Sequence, residues 1–334
     1  MRPTHRLNRT ITVKRRVNLI SSFQTTKDKD KRQGPGDQMT HKSTHFFTNL
    51  SRAASVFCLM LVTSAQAADR FANVEISAQT IAEGVYMLKG AGGNIGASVG
   101  PDGTLIIDNQ FAPLSDKIAT ALTDLGGDRP RLVLNTHYHG DHTGGNSDFG
   151  RTGDIIAHDN VRARLVGQGN LPGSALPVVT YADAVTIHFN GDEIALIHLP
   201  QGHTDGDTMV WFKGANVLHM GDQLFNGAFP YIDLGAGGTV DGYIQNLRAV
   251  ISDMPADITI IPGHGPIADI AALAECLRVI EETRQITVSG LDAGKSDVAI
   301  AEDLSAFADW GQGFISTSRW ISIIKADHAQ RGSL

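Results

Sequence analysis

From residue 84 onward, short apolar runs alternate with glycine-rich turns. GVYMLK (84–89), NIGASVG (94–100) and GTLIID (103–108) read as strands joined by turns such as Pro101-Asp102-Gly103. In PLSDKIATALTDLGG (113–127), Ile118, Ala121, Leu122 and Leu125 recur at helical spacing, and Gly126-Gly127 supplies the stop. RLVLNT (131–136) is a strand of the fully buried type. Four more strands, VTIHF, EIALIHL, TMVWF and NVLHM, fill 185–220. YIQNLRAVISDM (243–254) places Ile244, Leu247 and Ile251 on one helical face. ITIIP (258–262) is a strand, and about 266–330 is mainly helical. Two groups of strands, each followed by helices, predict an α/β fold of two sheets with helices outside them. No repeat or linker interrupts 68–334, which reads as a single domain.

The N-terminal region has a different pattern. Residues 1–38 are basic and polar without apolar periodicity. After Met39 come Lys42 and Arg52, an apolar run from Ala53 to Thr63, and Ala65-Gln66-Ala67. This is the three-part form of a secretory signal peptide, too short in its apolar part to span a bilayer. The expected reading is an upstream translation artefact or disordered tail at 1–38 and a cleaved signal peptide at 39–67. The remainder, 68–334, would be a periplasmic or secreted domain without an integral membrane segment.

Residues 1–67 hold 12 of the 28 Lys and Arg but only 3 of the 35 Asp and Glu, leaving a formal charge of −16 on 68–334. That acidity argues against a nucleic-acid partner and for a small-molecule substrate. Cys58 leaves with the apolar run. Cys276 then has no intramolecular partner and reads as a small buried hydrophobe.

The candidate chemistry is concentrated in NTHYHGDHTGG, residues 135–145. His137 and His139 lie two apart after a strand, so in extended backbone they share a side, ~6–7 Å apart along the chain. Two imidazoles in that arrangement can hold one ion. Asp141 and His142 follow Gly140, where the chain can turn toward a second ion. The pattern of donor plus glycine after a strand recurs at His203 (GHTDGD), Asp222 (MGD) and His264 (PGHG).

The ordered set HxHxDH, GHT, GD, PGHG resembles the metallo-β-lactamase superfamily over about residues 74–270. The resemblance implies an αββα sandwich with a dinuclear zinc site at one edge. His137, His139 and His203 would hold the first zinc, and Asp141, His142 and His264 the second, with Asp222 bridging. Chemically, three neutral histidines leave a position open for water, and two ions can share a hydroxide that attacks a carbonyl. Asp141 would also orient that hydroxide as the catalytic carboxylate. Asp108, at the end of LIID, matches a position that supports a ligand histidine. Thr204 and Asp205 either fix His203 or cap a turn. Asn226 and Tyr231 are the candidate pocket residues. His158, His188, His198, His219 and His328 read as structural or solvated.

The shared site leaves the substrate open. Export favours a β-lactamase-like role, cleaving a cyclic amide. Glyoxalase II resembles the site closely, but its glutathione thioester would be scarce outside the cytosol. Against efficient β-lactam binding, Phe225 stands where β-lactamases of the common subclass carry a lysine, and Asp222 where they carry a cysteine. Their long flap is reduced to KGAGGNIG (89–96). A periplasmic lactone, ester or thioester hydrolase is the alternative. A non-catalytic zinc-binding protein and a one-iron persulfide dioxygenase are further readings, separable by turnover and metal identity.

Overall fold

The computed structural model describes residues 70–332, whose strands form two sheets. The expected upstream segment (1–38) and signal peptide (39–67) lie outside the described residues. The first sheet contains, in spatial order, β1 (Ser77–Ala82), β2 (Val85–Lys89), β3 (Ile95–Gly100), β4 (Gly103–Ile107), β5 (Leu132–Leu134), β6 (Asp154–His158) and β7 (Val179–Tyr181). It is antiparallel through β4 and parallel from β4 to β7. The second contains β8 (Ala184–Phe189), β9 (Asp192–His198), β10 (Thr208–Phe212), β11 (Val217–His219) and β12 (Thr259–Ile261). It is antiparallel except for the parallel pair β11 and β12. The helices are α1 (Ser115–Asp124), the single turns α2 (Gly140–Thr143) and α3 (Asn146–Phe149), α4 (Asp159–Gly167), α5 (Val240–Asp253), α6 (Ile270–Asp292), α7 (Asp297–Asp303) and α8 (Thr317–Gly332).

Burial on both strand faces explains the continuous apolar runs. In β4, Leu105 and Ile107 enter the core between the sheets, while Ile106 turns outward against Ile118 and Leu122 of α1. In the second sheet, Val217 and Ile261 face the inter-sheet core. Leu218 and Ile260 pack with Leu247 of α5, Val279 of α6 and Trp320 of α8. The period of two thus divides each strand between two cores, and the result is the expected αββα sandwich. Trp320 is fully buried, and its Nε1 donates to Thr283 Oγ1 at 2.9 Å, fastening α8 to α6.

The four strands expected in 185–220 are all present, as is the helical tail. The helix expected from Tyr243 begins at Val240, where Thr239 caps it by accepting from Gly242 N at 2.9 Å. Strands β1, β6 and β7 and helix α4 were not expected. SAQTIA in β1 is a largely exposed edge with no apolar run, and VTY in β7 is three residues long. Helix α4 buries only Val161 and Leu165, too few for a helical stripe. Cys276 is a buried free thiol whose pKa is raised to about 11 by burial, so it packs as a hydrophobe. Among the described residues no helix is long and apolar enough to cross a membrane.

Candidate metal centre

Two parallel strand pairs end at the same edge of the sandwich. In β4 and β5, Ile107 pairs with Leu134; in β11 and β12, His219 pairs with Ile261. The chain leaves these C-terminal ends into Asp108, the 135–145 segment, Asp222 and His264, and the β9–β10 connection adds His203. All seven residues expected as ligands converge there. Donor atoms of His137, His139, His203 and Asp222 lie within 4.8 Å of one another, as do those of Asp141, His142 and His264.

The inner nitrogen of four of the histidines is set by what the outer one does. His142 Nδ1 donates to Asp108 Oδ2 at 2.7 Å, and His203 Nδ1 to the Tyr231 carbonyl at 2.6 Å. His139 Nε2 donates to Asp233 Oδ2 at 3.0 Å. Thr136 Oγ1 gives its proton to Asp108 Oδ2 at 2.7 Å, so it accepts from His137 Nδ1 at 3.1 Å. Each ring therefore turns its other nitrogen inward. His139 Nδ1 and His203 Nε2 face one another at 2.8 Å.

Asp222 stands between the two groups. Its Oδ2 lies 3.5 Å from His203 Nε2 and 3.8 Å from His137 Nε2. Its Oδ1 lies 3.0 Å from His142 Nε2 and 3.3 Å from His264 Nε2. Asp141 Oδ2 closes the second group, 3.4 Å from His264 Nε2 and 3.6 Å from His142 Nε2. Short as these distances are, His137 Nε2, His142 Nε2 and Asp222 Oδ1 are buried without an aligned hydrogen-bond partner. Buried polar atoms left unpaired carry a penalty of about 1–3 kcal/mol each. Orphaned nitrogens and a carboxylate oxygen converging in one place are what a bound cation would satisfy, so the donor set fits a metal.

The electrostatics agree. Burial drives His203 down to about 4 and His137 well below the usual imidazole range, keeping both neutral as donors must be. For His142 burial acts downward too, but the carboxylates of Asp222, Asp108 and Asp141 outweigh it and raise the group. His264 is raised to about 9: burial opposes the shift, and Asp222 and Asp141 produce it. Burial thus holds His137 and His203 of the first group neutral, whereas carboxylates raise both histidines of the second.

Asp108 supports this arrangement as the sequence suggested. It is fully buried at φ +63, a left-handed conformation costing a non-glycine residue roughly 1–2 kcal/mol. Hydrogen bonds from Thr136 N, Thr136 Oγ1 and His142 hold it there. Thr204 and Asp205 direct their side-chain hydrogen bonds elsewhere than to the His203 ring. Thr204 donates to Asp207, and Asp205 is paired with Arg164. Sequence reading missed Asp233, which accepts from Tyr138 Oη at 2.7 Å as well as from His139. It lies 94 positions from His139, and YIDLG carries no local ligand signal. His219 is structural, its Nε2 bonding to the Asn94 carbonyl at 3.1 Å.

A cavity of about 780 Å³ opens over the donors His139, Asp141, Asp222 and His264. Asn226 and Tyr231 are among its lining residues. The Asn226 amide, however, donates away from the cavity to the Pro266 carbonyl at 2.9 Å, which makes it a wall rather than a donor to substrate. Phe225 stacks on His264, with ring centroids 4.9 Å apart.

The sequence model of the metallo-β-lactamase superfamily matches residues 92–264. The chain belongs to the metallo-β-lactamase superfamily. Superfamily members bind metal ions, and the cluster of His137, His139, His203 and Asp222 is the metal-binding site of this member. The chain is 35% identical over 134 residues to a hydroxyacylglutathione hydrolase of Rhodospirillum rubrum, covering 40% of this chain and 47% of that protein. It is 28% identical over 191 residues to the 2,4-dinitroanisole O-demethylase subunit alpha of a Nocardioides species, covering 55% and 54%. The chain thus spans about half the length of either relative. Among solved structures, a metallo-β-lactamase from Pontibacter korlensis superposes with a TM-score of 0.54 at 18% identity, over 62% of this chain and 99% of that one. At that identity the likeness shows the superfamily fold.

Proposed function

We propose that this hydrolase uses two zinc ions and cleaves an activated carbonyl, an ester, lactone or thioester. The observation that carries the reading is the divided contact of Asp222, one oxygen toward each donor group, beneath an open cavity. His137, His139 and His203 would hold one ion and Asp141, His142 and His264 the other, with Asp222 shared. Nitrogen and carboxylate donors without cysteine suit zinc. When bound, such ions supply Lewis acidity and lower the pKa of water.

The chain's own residues do the rest. Asp108, Asp233 and the Tyr231 carbonyl fix the ligand rings, so substrate meets a preorganised site. Asp141 faces the cavity with its carboxylate held low: burial acts against this, while His142 and His264 bring it about. It therefore stays ionised and is placed to orient a water molecule.

Thioester cleavage gains support from the hydroxyacylglutathione hydrolase relatives, which sequence reading had set aside because of expected export. The β-lactam amide is the second reading. It presents the same kind of carbonyl, and the site's paired groups would accept it. Phe225, 7% exposed and stacked on His264, puts no cation where a substrate carboxylate would be gripped.

Zinc-loaded protein is expected to hydrolyse phenyl acetate or an acyl thioester faster than a chromogenic cephalosporin, with all activity lost on chelation. Chelator-insensitive turnover, or none from fully loaded protein, defeats the proposal. Export through the 39–67 segment is also proposed. The expected mature N-terminus is Ala68, and N-terminal sequencing of protein from the producing cell that finds residues 1–67 intact would overturn it.

A further inference from the structure

The C-terminal segment lies beyond the family-matched residues 92–264, yet part of it reaches the cavity. Phe314 is 73% exposed while its neighbour Ile315 is fully buried. Ile315 and Trp320 pin the segment to the core, so Phe314 projects over the cavity mouth. Burying a phenylalanine side chain is favourable by roughly 1.5–3 kcal/mol, so its exposed placement contributes nothing to folding.

The ring is nonetheless held in place. It meets Tyr231 edge to face, with centroids 6.4 Å apart and planes at 88°. The Arg319 guanidinium lies 5.1 Å from the Phe314 centroid and 5.5 Å from that of Tyr231. Among the described residues no carboxylate pairs with Arg319. Across the mouth, Arg70 sits 4.7 Å and 5.4 Å from the centroids of Phe71 and Phe111. The cavity is thus flanked by two aromatic pairs, each stacked under a guanidinium. Rigid aromatic faces over an apolar cavity favour a flat apolar guest, because stacking adds to area burial.

We infer that Phe314 and Tyr231 form the binding wall for an aromatic group of the substrate, with Arg319 as the positioning residue that holds the two rings. The substrate class is therefore an aryl ester or aryl thioester. The inference rests on the hydrolase reading only for its kinetic test.

Two measurements on the full-length protein separate the two ideas. The first is calorimetric binding of 2-naphthylacetamide to metal-stripped and zinc-loaded protein. Phe314→Ala is expected to weaken binding about tenfold and Arg319→Gln by about threefold, whereas Phe314→Trp restores it. The second is the ratio of kcat/KM for 2-naphthyl acetate to that for methyl acetate. Phe314→Ala is expected to lower the ratio about tenfold, and Phe314→Trp to keep it. Circular dichroism melting checks that the variants fold, which the exposure of Phe314 favours. Wild-type binding and an unchanged ratio in Phe314→Ala overturn the inference. Naphthyl binding that depends on Phe314 in a protein with no turnover upholds the wall while removing the hydrolase reading.

Discussion

On the proposed two-zinc site, Asp222→Ala is expected to lower turnover by about a thousandfold and to reduce bound zinc from two equivalents toward one. The reason is the divided contact: Oδ2 faces His203 and His137, and Oδ1 faces His142 and His264. With the carboxylate gone, the first group keeps its three histidines. The second keeps Asp141, His142 and His264 but loses the charge nearest both rings. Lewis-acid stabilisation worth several kcal/mol is then lost from one side of the reacting carbonyl. At about 1.4 kcal/mol per tenfold, that corresponds to three decades. Atomic absorption on the purified variant checks the stoichiometry, and steady-state kinetics check the rate. A variant that retains two tightly bound zincs and wild-type turnover would refute the bridging role.

Gly93→Ala is expected to damage the site from a position that carries no donor. A Cβ built on Gly93 would lie 2.1 Å from His142 Cε1 and 2.6 Å from its Nε2. Neither side can yield easily. His142 is fully buried and tied to Asp108, and the Asn94 amide beside Gly93 donates to the Gly263 carbonyl at 2.7 Å. Overpacking of this kind costs about 1–3 kcal/mol. Displacing the ring should reduce affinity for the second metal about 10–100-fold, as losing a supporting contact does. Gly140→Ala is the control: an added Cβ meets nothing within 4 Å there, although the residue sits between His139 and Asp141. Competition with a chromogenic chelator measures both variants. Equal zinc affinity in Gly93→Ala and wild type would show that the contact does not matter.

This glycine also gives physical meaning to the short segment at 89–96. The backbone occupies space beside His142 that a side chain would fill. It covers the second donor group with main chain instead of extending a flap over it.

The sequence by itself determined the candidate donor set and the layered architecture. HxHxDH, His203, Asp222 and His264 are legible because each donor stretch follows a short apolar strand and contains or adjoins a glycine, a combination that strand or helix propensity does not produce. Leu105-Ile106-Ile107 and Ile260-Ile261 are legible as doubly buried strands because continuous apolar runs need a core on each face. Tertiary structure alone decided which oxygen of Asp222 faces which histidine, and which nitrogen of each ring points inward. Those choices depend on Asp108, Thr136, Asp233 and the Tyr231 carbonyl, brought together from separate parts of the chain. It also decided the cavity wall. Phe71, Phe111 and Phe314 have no sequence relation to the motif, and only the docking of α8 through Trp320 carries the last of them to the mouth of the site. Metal ligation needs particular residue types at particular spacings and so leaves a local pattern. A substrate wall needs only apolar surface in the right place, which any aromatic residue can supply once the fold has delivered it.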